Sequence, residues 1–151
     1  MDGKEITMEI VDALKRTDLF TVLSDETLKA VADMTRLQSF EDGETLYELG
    51  DDADAVYVVA SGRVRFSLGV GNRPDGGGSI MTEGSVIGWA AVLEDAPRRV
   101  ATAVCLEDSS LYVIPGDDLL ALLDGDAPSG QRMMRRLATL ITGDFMAVTA
   151  G

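Results

Sequence analysis

The sequence predicts a mainly β fold, a small antiparallel barrel or sandwich held between helices. Seven short β-prone runs crowd between residues 37 and 115, turn chemistry separates them, and helical periodicity appears only outside that stretch. Many short strands at close spacing favour a closed antiparallel architecture over a parallel sheet.

Taken in order, Ile6, Ile10 and Leu14, with Val11 and Ala13 less regularly, recur at helical spacing. In "LSDETLKAVADM", Ser24 is placed to cap a second helix whose stripe is Leu28, Val31 and Met34. Both helices are too short to stand alone and must pack on the β portion of the chain. The strands are expected in "RLQSF", "ETLYEL", "AVYVVA", "RVRFSL", "SIMTEG", "RVATAV" and "SSLYVIP". "RVRFSL" alternates Arg63, Arg65 and Ser67 against Val64, Phe66 and Leu68, the pattern of a half-buried strand. "GNRPDGGGS", Gly71 to Ser79, reads as a long hairpin tip. After Pro115, "GDDLLALLDG" gives a short helix ending near Gly125. A longer helix comes next, with Met133, Leu137, Leu140 and Ile141 on one face and Arg132, Arg135 and Arg136 elsewhere. One domain over residues 1–151 is expected, with N-terminal helices in 1–36, the β portion in 37–115 and C-terminal helices in 116–151.

Composition narrows the function. Thirteen basic against 26 acidic residues leave a formal charge of −13. Such a field repels nucleic acid and anionic lipid, so neither is expected as a direct partner, and an anionic ligand would need a local enclosed positive site. The chain has no histidine, which removes the usual general base, the usual zinc ligand and the histidine-activated nucleophile. No nucleophile–base pair stands out, so the chain is not expected to be an enzyme. Asp51, Asp52 and Asp54 read as turn chemistry and not as a calcium loop, so no metal is expected. Cys105, the single cysteine, lies in the apolar run "ATAVCL" and reads as a buried structural thiol. No apolar run nears the roughly 20 residues of a membrane span. The opening residues Asp2, Lys4 and Glu5 are unlike a secretory leader. A cytoplasmic protein is expected.

Glycines Gly43, Gly50, Gly62, Gly84 and Gly88 stand where strands turn. With their neighbours they carry a resemblance. "EDGETLYELGDDADAVYVVASGRVRF" resembles the opening of the cyclic-nucleotide-binding domain family of the catabolite activators and protein-kinase regulatory subunits. That opening runs glycine-glutamate, a strand, glycine-aspartate, an apolar strand and a glycine before the next strand. "GSVIGWAAVLEDAPRRVATAV" resembles the family's phosphate-binding cassette, and "LYVIPGDDLLALLD" the barrel exit and the helix after it. The resemblance implies a jelly-roll-like antiparallel β-barrel (a double-stranded β-helix) with N-terminal helices, a short cassette helix and C-terminal helices.

It also implies a site. Gly88 takes the cassette glycine's position and allows close backbone approach, and Ala90 and Ala91 begin the short helix whose amides face an anion. Arg99 takes the phosphate arginine's place because "RVAT" then matches the family's arginine-x-alanine stretch. Arg98 competes, since loop lengths there vary by a residue. Exposed amides at a helix start and a guanidinium are sound anion donors in their own right. On this view Arg99→Ala abolishes phosphate binding and leaves the fold intact. Trp89 departs from the pattern by standing where the family's ribose-binding glutamate belongs. An indole offers one N–H donor and no acceptor, so a ribose 2′-hydroxyl left unpaired there costs about 1–3 kcal/mol, roughly ten- to a hundred-fold in affinity. Trp89 either stacks on a ligand ring or plugs the site. Val100 is apolar where members favouring cyclic GMP often carry a hydroxyl, so nothing points to guanine.

Two functions are compatible with these residues. One is a sensing module that binds a cyclic nucleotide such as cyclic AMP, or a related small phosphate ligand, with altered or weakened specificity, and signals through its C-terminal helices. No other cofactor is expected, and "MMRRLATLI" could form a lid or a seam with a second copy or a partner protein. The other is a degenerate domain that binds no nucleotide and serves as an interaction or dimerisation scaffold. A C-terminal DNA-reading helix-turn-helix is not expected, because few residues remain after Ile141 and the net charge opposes DNA.

Overall fold

In the computed structural model, which describes residues 3–67, 79–93 and 97–150, two four-stranded antiparallel sheets lie between helices. Helix α1 (Gly3–Lys15), a 3-10 turn (Phe20–Val22) and helix α2 (Asp25–Met34) precede the sheets. Ser24 caps α2 as expected, its Oγ accepting from the Thr27 amide. Ile10, Leu14, Leu28 and Val31 are buried, but Ile6 is 44% exposed, so burial of the α1 stripe starts one turn later than its periodicity predicts.

The strands are β1 (Arg36–Phe40), β2 (Thr45–Tyr47), β3 (Ala55–Ser61), β4 (Val64–Ser67), β5 (Ser79–Met81), β6 (Val86–Ile87), β7 (Thr102–Cys105) and β8 (Ser109–Pro115). They assemble as β1-β8-β3-β6 and β2-β7-β4-β5. Consecutive strands fall in different sheets at several points, so the chain winds between them as a jelly roll does. In β4, Val64 and Phe66 face inward as their alternation predicts; Leu68 and the expected hairpin tip through residue 78 lie outside the described residues. Strand β3 shows no alternation because both faces are covered. Val56 and Val58 join the helices in one core, while Val59 faces Phe40, Tyr47, Val64, Ile87 and Leu111 in the other. Cys105 is buried in that second core, and burial pushes its thiol pKa up.

Two elements depart from the sequence reading. The run "RVATAV" becomes a strand only from Thr102, and Val86–Ile87 form a strand that the sequence does not signal. Between β6 and β7 lies a 3-10 helix, Trp89–Val92. Helices α3 (Gly116–Asp124) and α4 (Ala127–Ala150) close the chain; Met133 and Leu137 are buried, and Leu140 and Ile141 partly so.

Candidate functional site

The segment 97–99 is stitched to the β2–β3 turn by backbone bonds. The Ala53 amide donates to the Pro97 carbonyl (2.9 Å), the Arg99 amide to Asp51 (2.7 Å), and the Gly50 amide to Arg99 (2.8 Å). Asp52 and Arg98 pair as an antiparallel bridge. Successive residues of extended chain point to opposite sides, and so the two arginines part. Arg98 turns outward to an ion pair with Asp52 (2.8 Å), both side chains well exposed. Arg99 turns inward and is 3% exposed.

Inside the roll, the Arg99 guanidinium donates from Nη1 to the Gly88 carbonyl (2.9 Å) and from Nη2 to the Ala55 carbonyl (2.8 Å). It lies over the Tyr47 ring, 4.2 Å from centroid, with Tyr57 at 5.7 Å. The two tyrosines stack on each other at 5.9 Å. A cation over a ring face is stabilising, more so away from water. Burial raises the pKa of both phenols, while the Arg99 charge opposes the rise, so both stay neutral at physiological pH. The Asp54 carboxylate lies 3.7 Å from Nη2, but its own side chain is solvent-exposed.

Gly88 makes this approach possible. Its φ is +78°, a conformation L side chains rarely adopt, and a Cβ there would sit 2.8 Å from Arg99 Nη1 and 3.0 Å from the Tyr57 ring. It also caps the Trp89–Val92 helix. Trp89 itself is buried, its ring tilted against Phe66 at 6.4 Å. One side of Trp89 borders a void of about 10 Å³, shared with Tyr47, Phe66, Gly88, Ala90, Arg99, Val100 and Ala101. The other side borders a groove of about 300 Å³ that includes Leu19, Met81, Leu137 and Leu140. The indole is thus a partition between barrel interior and the helical layer.

Of the residues singled out in the sequence, Gly88, Trp89, Ala90, Arg99 and Val100 meet at this void, with Val100 at its half-exposed rim. Ala91 faces elsewhere: a Cβ on Gly116 would lie 2.9 Å from its carbonyl, so Ala91 meets the start of α3. Arg98 is outside. The sequence does not mark Tyr47, Tyr57 and Phe66 as site residues, because strand-to-strand pairing brings them to Arg99 and no local spacing does. Among the described residues, no group of three or more histidine, cysteine, aspartate or glutamate side chains is placed to hold a metal, and no helix is long and apolar enough to cross a membrane.

The family model for the cyclic nucleotide-binding domain matches residues 37–126, more than half of the chain. The chain belongs to this family. Among relatives of this cyclic nucleotide-binding domain, a cyclic AMP receptor protein of Thermus thermophilus is 29% identical over 73% of the chain and 50% of its own length. The transcriptional regulatory protein btr of Bordetella pertussis is 36% identical over 64% of the chain and 39% of its own. The chain therefore spans half or less of the curated relatives named here. Among solved structures, the sensor domain of the transcriptional regulator DNR from Pseudomonas aeruginosa superposes with a TM-score of 0.74 at 24% identity, covering 91% of each chain. The regulatory domain of Toxoplasma gondii PKA, crystallised with cAMP, gives 0.72 at 26% identity over 89% of this chain and 50% of that one.

Proposed function

We propose that this chain is a regulatory module that senses a small phosphate ligand of the cyclic-nucleotide class. The observation that carries the reading is the inward turn of Arg99, a buried cation seated against the cassette backbone at Gly88. In a chain of net charge −13, a buried guanidinium is the kind of local positive site an anion needs. Gly88, Trp89, Ala90 and Val100 form the rest of the receptor wall, and Arg98 serves the turn instead. Relatives named for cyclic AMP and a structure crystallised with it make cyclic AMP the first ligand to test.

Signalling runs through the helices. The cassette helix abuts α3 at Ala91 and Gly116, the Gly116 amide donates to the Asp54 carbonyl (2.9 Å), and Trp89 lines the groove beneath α4. A ligand that displaces the cassette must shift these contacts. Ligand sites for small molecules run from about 300 Å³ upward, whereas the void at Arg99 is about 10 Å³. Binding therefore requires the cassette or the indole to move, which couples occupancy to α3 and α4.

The small size of this void supports the second reading, a scaffold that binds no nucleotide and works through contacts with a second copy or a partner protein. A thermal-shift comparison with cyclic AMP, cyclic GMP and linear AMP separates the two. Ligand at 100 times its dissociation constant adds about 2.7 kcal/mol of stability, which is about 5–10 °C for a chain of this size. No shift with any of the three favours the scaffold.

A further inference from the structure

Among the described residues, the buried side-chain nitrogen and oxygen atoms without a hydrogen-bond partner are two: Nε1 of Trp89 and Nε of Arg99. Both residues are more than nine-tenths buried, and both line the same void. Each nitrogen bears a hydrogen and can only donate. Among the described residues, no carboxylate lines the void. Two residues of the void's wall, Trp89 and Arg99, thus each carry a buried N–H without an acceptor.

We propose that the occupant of this site is an anion that offers oxygen acceptors to both N–H groups and brings no hydroxyl donor to Trp89. A phosphoryl group accepting from Arg99 Nε, with a phosphoryl, ether or carbonyl oxygen at the indole, satisfies both orphans. A ribose hydroxyl at the same place can accept from the indole but must bury its own O–H without a partner, a loss of about ten- to a hundred-fold in affinity. Trp89 thereby sets specificity by reversing the polarity of the contact. The inference rests on the reading of this void as an anion receptor, and it goes further by stating which phosphate ligands the receptor prefers.

Trp89 is the only tryptophan of the chain, so its emission reports the site directly. The full chain is titrated with cyclic AMP, 2′-deoxy cyclic AMP and inorganic pyrophosphate, and Trp89→Glu and Trp89→Phe are titrated by calorimetry after their melting is checked. Expected are binding of the 2′-deoxy nucleotide about tenfold or more tighter than cyclic AMP, and a preference for the ribose form of about tenfold or more in Trp89→Glu. Trp89→Phe, which keeps a ring but removes the donor, is expected to weaken pyrophosphate about tenfold. A natural chain that binds cyclic AMP as tightly as the 2′-deoxy nucleotide, or more tightly, overturns the proposal and leaves the nucleotide reading standing. So does a Trp89→Phe variant of unchanged affinity for pyrophosphate. A saturable response to pyrophosphate with none to either nucleotide upholds the proposal and overturns the nucleotide reading. Silence to all three ligands overturns both.

Discussion

The Arg99 guanidinium has five N–H groups, and two of them hold the Gly88 and Ala55 carbonyls before any ligand arrives. The side chain therefore belongs to the fold as well as to the void, and its removal is expected to weaken the fold. Arg99→Ala strips two buried carbonyls of charged donors and removes a cation from the Tyr47 face. Hydrogen bonds to charged groups contribute about 1.5–3 kcal/mol, and a buried group left unpaired costs about 1–3. A net loss of about 2–4 kcal/mol is expected, read as a fall in Tm of about 5–15 °C. Arg98→Ala removes an exposed pair with Asp52 and a long, exposed hydrogen bond to the Gly50 carbonyl (3.5 Å), and is expected to change stability by less than about 1 kcal/mol. Equal melting of the two variants would show that the inward guanidinium contributes nothing to the fold. Trp89→Ala is a separate case, because the indole fills core between Phe66 and the helical layer. Truncating a buried aromatic costs about 3–5 kcal/mol, so chemical denaturation should place this variant among the least stable single substitutions of the chain.

Among the elements, those whose logic is local were legible and those set by distant pairing were not. Ser24 announces α2 because a cap acts over three residues, and β4 announces itself because Val64 and Phe66 share one wet-backed strand. Strand β6 has two residues and exists because Tyr57 and Val58 of β3 pair with Ile87 and Val86; nothing in "SVIGW" states that. The inward turn of Arg99 was readable only as a choice between neighbours, and it is the pairing of 97–99 with the β2–β3 turn that sets the alternation. Tyr47 reaches the void, and Tyr57 the Arg99 guanidinium, by the same non-local route. The junction of α3 and α4 holds a further device of this kind. Asp126 Oδ2 accepts from Thr27 Oγ1 (2.6 Å) and Ser24 Oγ (3.2 Å), and Oδ1 accepts from the Ser129 amide at the start of α4 (3.3 Å). Hydrogen bonds from Ser129 and then Thr27 lower its pKa from 3.8 to about 2. A carboxyl whose folded pKa is depressed stabilises the fold fully above its unfolded value and loses that contribution as pH falls through the folded one. The tie between α2 and α4 should therefore weaken as pH drops from about 4 to about 2. Asp126→Asn should be less stable than the natural chain at neutral pH and show a shallower loss across that window. Parallel acid-unfolding curves for the two proteins would exclude the role.

At the scale of the whole molecule, the acidic balance and the buried cation act on a ligand at different distances. Thirteen excess negative charges repel an approaching anion from outside, where salt screens well. Arg99 acts only on contact, inside the roll, where salt screens little. Raising ionic strength from about 0.01 to about 0.15 M shortens the screening length from roughly 30 to roughly 8 Å. Repulsion during approach then fades, while attraction at the site persists. An anionic ligand should accordingly associate several-fold faster at the higher salt, the reverse of what a basic binding surface gives. Dissociation, governed by the enclosed contacts and by the movement of the cassette against α3, should change little. Stopped-flow traces of Trp89 emission at several salt concentrations measure both rates. An association rate that falls with salt would mean that the ligand meets a locally basic surface first, and that the void around Arg99 is not where it is received.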